Sequence, residues 1–143
     1  MVGDGPERGS AQELCADLGV CDDVSFPGAQ VDIEEAYRAA HLFWLLSDYE
    51  SFGLSALEAM ACGTPVVVTR AGGLVEVVED GQAGRLCRVG DVAGVATAAM
   101  EICADESTWL RYSDAAKTHA RKQFCKQLIV PLYEDFYESV VGG

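Results

Sequence analysis

The run HLFWLLS at 41–47 constrains the fold more than any other stretch. From Leu42 to Leu46 no polar residue interrupts it. A strand with one wet face alternates apolar and polar positions. An unbroken apolar run instead suits a strand covered on both faces, the habit of parallel sheets. Parallel neighbours cannot be joined by a hairpin, so the chain must cross over between them, usually through a helix.

The flanking sequence alternates accordingly. VGDGP at 2–6 reads as the end of a strand followed by a turn. Residues 6–18 carry a helical pattern, with Pro6 at its start and Gly19 as its stop. VSF at 24–26 reads as a short strand, and DIEEAYRAA at 32–40 as a helix with Asp32 as N-cap. After the strand at 41–46 come a helix over 53–62, the strand PVVVT at 65–69, a short helix over 74–79 and a weak strand over 83–89. The remainder reads as helix over 92–104, 106–124 and about 126–140, and Pro131 should kink or delay the last of these. Strands alternating with helices define an α/β fold with a doubly wound, Rossmann-like parallel sheet.

With 143 residues, 50% hydrophobic and 23% charged, the chain can bury a real core and is short enough for one domain. A net charge of −13 excludes nucleic acid and anionic membranes as partners, because no basic patch exists to release counterions. No apolar run reaches membrane-spanning length, and MVGDGPERGS lacks the basic start and apolar stretch of a signal peptide. The cytoplasm is therefore the expected location. The six cysteines form no C-x-x-C pair, and neither His41 nor His119 is spaced as a metal ligand to them. Buried, reduced thiols are expected rather than zinc or disulfides.

The chemistry concentrates in SDYESFGLSALEAMACG at 47–63. An apolar helix follows the strand, yet Glu50 stands at its mouth and Glu58 on its wall. In parallel sheets, ligands bind beyond the carboxyl ends of the strands, which is where this turn lies. A helix starting near Phe52 leaves the N–H groups of Phe52, Gly53 and Leu54 without intrahelical partners, and Gly53 lets an anion approach closely. Helical spacing aligns Ser51, Ser55, Glu58 and Cys62 on one polar stripe, while Leu54, Leu57, Met60 and Ala61 fill the other faces. Alone, Glu50 could merely favour the helix dipole and Glu58 could be a solvated residue. Together at a strand-end cleft they indicate a site.

ESFGLSALE has the form of a Glu-x7-Glu motif, and it sits among VGDGPE at 2–7, EAMACGTPVVVT at 58–69, GGLVEVVEDGQAGRL at 72–86 and VGD at 89–91. This succession resembles the retaining glycosyltransferases built from two Rossmann-like domains, the GT-B architecture of glycosyltransferase family 4. Within the family it is most similar to members of bacillithiol biosynthesis that transfer N-acetylglucosamine from UDP to L-malate. The resemblance implies that residues 1–143 are part of the C-terminal, donor-binding domain. The N-terminal acceptor domain, and the first strand and helix with their diphosphate-binding Arg and Lys, are expected to be absent.

The resemblance also implies roles. Glu50 would accept hydrogen bonds from donor-sugar hydroxyls and serve catalysis, and Glu58 would grip the ribose hydroxyls. Ser51, Phe52, Gly53 and Leu54 would hold the diphosphate between them. Phe26, Pro27 and Gly28 would form the nucleobase loop, although Pro27 offers no N–H. Gly72 and Gly73 are candidate cleft residues, or else simply a strand-to-helix turn. Thr69 and Arg70 are weaker cleft candidates, and Glu76 suits a first-turn dipole partner better than a ligand. Tyr133, Phe136 and Tyr137 form an apolar stripe that in the family packs on the other domain and otherwise would join the core. No D-x-D motif is present, and neither a metal nor another cofactor is expected.

The expected function is nucleotide-sugar binding, with UDP-N-acetylglucosamine as donor, inside a hexosyltransferase. The alternative is a non-catalytic remnant, or a partner-binding subunit of a split glycosyltransferase. The isolated chain should bind the donor weakly without turning it over. It should self-associate through 41–46, or be completed by a separate polypeptide.

Overall fold

The computed structural model describes residues 1–142. In chain order it contains α1 (Arg8–Asp17), a 3-10 turn (Cys21–Asp23), α2 (Ile33–Ala39), β1 (Phe43–Leu45), α3 (Leu54–Ala61) and β2 (Val66–Thr69). These are followed by α4 (Leu74–Val77), β3 (Gly84–Cys87), α5 (Val92–Ile102), α6 (Glu106–Phe124) and α7 (Lys126–Val141). Two units are distinguished, Met1–Ile33 and the remainder from Glu34.

In the first unit, Arg8 ties the start of α1 to the loop after the 3-10 turn. It donates to Asp4 Oδ1 and to the Phe26 carbonyl, both at 2.9 Å. The strand expected at 24–26 does not form. Val24 is extended, yet the only pairing here is a single parallel bridge between Val2 and Gly28, closed by Gly3 N–H donating to the Gly28 carbonyl at 3.0 Å. One bridge gives residues 24–26 no ladder of hydrogen bonds to hold them as a strand.

The second unit is organised around β2. Its neighbours β1 and β3 both pair with it in parallel, in the order β1-β2-β3. Val66, Val67 and Val68 are all fully buried. Strand alternation sends Val67 to one face, where it joins Cys87, Val95, Ala98, Ile102 and Tyr112 from β3, α5 and α6. Val66 and Val68 face the opposite way, toward the buried Ala56, Ala59 and Met60 of α3 and Leu74 and Val77 of α4. The expected α/β class is therefore observed, with helices on both faces of a parallel sheet.

Four expectations need correction. The strand at 41–46 is shorter, and Trp44 is 55% exposed. The cause is coverage. α3 packs on β1, but α5 lies over β2 and β3, so Leu42 reaches the Tyr112 cluster while Trp44 does not. Leu54 and Ala61 do not fill a packed face of α3; they are exposed, and Ala56, Ala59 and Met60 take the core side. Of the six free thiols only Cys15 and Cys87 are buried. Finally, α7 runs unbroken through Pro131 from Lys126, so the proline does not delay it. Tyr133, Phe136 and Tyr137 stay more than half exposed, which rules out a place in this core.

Side chains lock α6 to the loops that lead into β1 and β2. Trp109 Nε1 donates to the His41 carbonyl at 2.6 Å, and Ser113 Oγ to the Gly63 carbonyl at 2.5 Å. Asp105 caps α6, accepting from Ser107 Oγ and from Thr108 N–H and Oγ1. The Ser107 bond, followed by those from Thr108, pulls its carboxyl down to about 2. This stabilisation is complete above the ordinary value of 3.8 and fades as the pH falls toward about 2. Asp105→Ala should therefore unfold more readily than the parent near neutral pH, and the gap should close on acidification through that window in pH-dependent denaturation curves.

A second expectation concerns β3. A methyl at Gly84 would come within 2.5 Å of the Val66 carbonyl oxygen, and both positions are buried. Gly84→Ala should lose about 1–3 kcal/mol of stability in urea titrations, as overpacked cores do.

Candidate functional site

The chain leaves β1 at Leu45 and enters α3 at Leu54. Gly53 makes the corner in the left-handed region, at φ 92°, so the helix starts two residues later than expected near Phe52. Ser51 consequently lies outside α3, and the polar stripe consists of Ser55, Glu58 and Cys62.

Two of the amides at the helix mouth are already engaged. Glu50 Oε1 accepts from Gly53 N–H at 3.2 Å and, more weakly, from Phe52 N–H at 3.5 Å. A carboxylate over these donors is also well placed against the positive end of the helix dipole. The Glu50 main chain is held from the other side, because its carbonyl accepts from Gly73 N–H at 3.1 Å. Gly72 sits at φ 48°, and a Cβ there would overlap the Glu50 carbonyl. A Cβ on Gly73 would lie 2.5 Å from the Ser51 carbonyl oxygen. The glycine pair is thus more than a turn: it lets the loop after β2 press on residues 50–52. Thr69 Oγ1 adds a stitch to the Ser47 carbonyl at 2.5 Å.

Glu58 lies on α3, exposed on one side and partnered on the other. Its Oε2 accepts from the Tyr37 hydroxyl at 3.3 Å. Burial, and then the charge of Glu58, push the Tyr37 phenol up to about 12. The Cys62 thiol on the same stripe is raised first by burial.

Phe52 turns its ring edge-on to Phe124 at 6.0 Å. Phe124 in turn packs on His119, whose Nε2 lies 3.1 Å from the Val77 carbonyl and whose Nδ1 lies 3.3 Å from Glu79. The end of α6 therefore braces both the Phe52 loop and the end of α4. Arg70, a cleft candidate, turns away along the sheet to pair with Asp80 at 2.5 Å. Asp80 also pairs with Arg85 and accepts from Leu86 N–H. Glu76 lies exposed on α4.

The structure thus gathers Glu50, Ser51, Phe52, Gly53 and Leu54 with Gly72 and Gly73 at the carboxyl ends of β1 and β2, and puts Glu58 further along α3. Phe26, Pro27 and Gly28 belong to the first unit. There their carbonyls are engaged by Arg8, Gln30 and Gly3 respectively. Tyr37 escaped the sequence reading, and His119 was weighed there only as a metal ligand. The only available signals were an aromatic residue on the short helix before β1 and a histidine within an otherwise polar helix.

Residues 1–121 match the family of glycosyl transferases group 1, and the chain belongs to that family. The N-acetyl-alpha-D-glucosaminyl L-malate synthase of Bacillus anthracis is 42% identical over 141 residues, covering 99% of this chain and 37% of that protein. The solved sucrose-phosphate synthase of Thermosynechococcus elongatus matches with a TM-score of 0.90 at 29% identity, covering 99% of this chain and 38% of that one. HepE of Anabaena, solved in complex with UDP, matches with a TM-score of 0.86 at 30% identity, covering 99% of this chain and 40% of that one. The chain therefore spans about two-fifths of the length of these relatives. The resemblance read from the motifs is borne out, and so is the Rossmann-like α/β fold of GT-B glycosyltransferases.

The contact between Gly72 and Glu50 gives a direct expectation. Gly72→Ala combines a strained positive φ, costing about 1–3 kcal/mol, with a collision against the Glu50 carbonyl. It should lower the melting temperature and speed amide exchange at Gly73, whose N–H makes that bond.

Proposed function

We propose that this chain supplies the donor-nucleotide site of a retaining glycosyltransferase that uses a UDP-sugar. The observation carrying this is the meeting of Glu50 with the Phe52 and Gly53 N–H groups at the mouth of α3, with Glu58 on that helix, in a chain of the glycosyl transferases group 1 family. The helix mouth takes the diphosphate. Glu58 accepts from the ribose hydroxyls, since one carboxylate can face two neighbouring O–H donors. Glu50 and the diphosphate compete for the same N–H groups, so donor binding releases the Glu50 carboxylate to turn to the sugar hydroxyls. There it stabilises positive charge developing at the anomeric carbon.

UDP is favoured because HepE is recorded with UDP and with UDP-glucose. N-acetylglucosamine as the sugar, L-malate as the acceptor and a cytoplasmic role in bacillithiol biosynthesis follow the Bacillus anthracis relative. Phe26, Pro27 and Gly28 are assigned to the nucleobase. Charge neutralisation falls to N–H groups rather than to a metal. Catalysis is assigned to Glu50 within the whole enzyme, and the acceptor is bound by sequence outside this chain. A non-catalytic remnant or a subunit of a split enzyme is the second reading. Transfer from UDP-N-acetylglucosamine to L-malate by the pure chain would refute both the remnant and the need for further sequence.

Calorimetry with UDP tests the site. Glu58→Ala should weaken UDP about 10–100-fold, the loss of a charge-assisted hydrogen bond. Glu50→Ala should leave UDP affinity unchanged or raised, because the substitution removes a competing carboxylate. Unaltered UDP affinity in Glu58→Ala would overturn the assignment to ribose.

Self-association is proposed through β1. It is an edge of the three-stranded sheet, and Trp44 and Leu46 beside it are 55% and 44% exposed. Sedimentation across a dilution series should show mass rising with concentration, and a monomer throughout would exclude it.

A further inference from the structure

We propose that Tyr37 is a positioning residue for Glu58, fixing that carboxylate so that the site prefers a ribonucleotide over its 2′-deoxy counterpart. The inference rests on the assignment of Glu58 to ribose and goes beyond it, because Tyr37 touches no ligand and acts only through Glu58.

The phenol is unusually well anchored for this purpose. Tyr37 is 5% exposed on α2, and its ring stands edge-on to Phe43 of β1, with centroids 5.4 Å apart and planes at 86°. Its main-chain carbonyl accepts from Thr64 Oγ1 at 2.5 Å, which ties it to the turn between α3 and β2. Ring and backbone are both fixed, so the hydroxyl occupies a defined point. A buried phenol O–H seeks an acceptor, and here it donates to Glu58 Oε2 at 3.3 Å.

Glu58 presents the opposite situation. It is exposed on α3 and by itself would sample many rotamers, an entropy that a ligand would have to remove on binding. Donation from Tyr37 removes part of it beforehand. It also distinguishes the two carboxylate oxygens. Oε2 is engaged by the protein on one side, while Oε1 has no hydrogen-bond partner among the described residues, so acceptor sites for two incoming hydroxyls remain. Burial and the Glu58 charge together keep the phenol protonated well beyond neutral pH, so the donor is constant across the working range. A carboxylate aimed in this way should read a vicinal diol better than a single hydroxyl, because both O–H groups can reach it at once.

The test uses the full chain with UDP and 2′-deoxy-UDP, together with NMR of the Tyr37 ring. Tyr37→Phe keeps the ring and its contact with Phe43, and its melting curve reports any loss of fold. The parent should bind UDP more tightly than 2′-deoxy-UDP. In Tyr37→Phe, UDP should weaken about 3–10-fold, the loss of one hydrogen bond, while 2′-deoxy-UDP changes less, so the ratio shrinks. Independently of any nucleotide, removing the Glu58 carboxylate in Glu58→Gln should move the Tyr37 ring resonances.

Resonances that are indifferent to Glu58→Gln would overturn the contact and the proposal with it. Coupled resonances with an undiminished ratio in Tyr37→Phe would overturn the positioning role alone. Coupled resonances in a parent that does not distinguish the two nucleotides would refute the ribose assignment of Glu58, and the proposal would fall for that different reason. A shrunken ratio that merely followed a collapsed melting curve would be overruled by Thr64→Val. That change loosens the Tyr37 backbone without removing the phenol, and it should reproduce a smaller shift of the ratio in a folded chain.

Discussion

Val66, Val67 and Val68 are withdrawn from water on both sides of β2, and covering them dictates most of what surrounds them. Each buried valine is worth roughly 1.5–3 kcal/mol relative to an exposed one, so neither face can be left bare. The parallel pairing of β1 and β3 with β2 forces the connections across the faces as helices: α3 and α4 take one side and α5 the other, while α6 joins the α5 cluster through Tyr112 and runs on against α3. A parallel sheet covered in this way brings the carboxyl ends of β1 and β2 to one rim. The two loops leaving that rim, 47–53 and 70–73, must pass each other at close range. Gly72 and Gly73 allow this, and in doing so they fix the main chain of Glu50.

Much of this was legible in the sequence because it follows from pattern. The long helices α5, α6 and α7 lie within a few residues of their expected bounds, and the structure adds the Asp91 and Asp105 caps that start the first two. The strand–turn–helix joint at 47–63 was legible from Gly53 and the apolar run after it. What pattern could not reveal was coverage. Trp44 is chemically as apolar as Phe43, and only the position of α5 over β2 and β3 leaves it in water. Leu54 and Ala61 were misplaced because only the side of α3 that carries Ala56, Ala59 and Met60 is covered by its neighbours, and spacing alone does not say which apolar residues of a helix are covered. The pairing of Tyr37 with Glu58 spans 21 positions, and no local spacing encodes a contact of that range.

The acidity of the chain fits the site once donor and acceptor roles are separated. Four arginines are already paired with carboxylates: Arg8 with Asp4, Arg38 with Glu34, Arg70 with Asp80 and Arg85 with Glu101. Arg70, the one closest in sequence to the rim glycines, is thereby directed along the sheet. At the rim itself, charge is balanced by backbone N–H groups, which recognise anions without adding a net cation. The carboxylates there suit hydroxyl donors, and Glu58 is steadied for that use by a buried phenol.

Glu50 brings the two roles together in one residue. In this structure its carboxylate occupies the Phe52 and Gly53 N–H groups, the same donors that the proposed diphosphate needs. A ligand anion and this side chain cannot both hold them. The exchange is near balanced in hydrogen bonds, because the donors have an acceptor before and after. Its driving force must come from what Glu50 gains elsewhere, namely hydroxyl donors on the sugar. A donor lacking its sugar would displace Glu50 without giving it a new partner. The arrangement therefore couples recognition of the phosphate to recognition of the sugar through a single carboxylate, held by its main chain against Gly73 and free to turn only at its side chain.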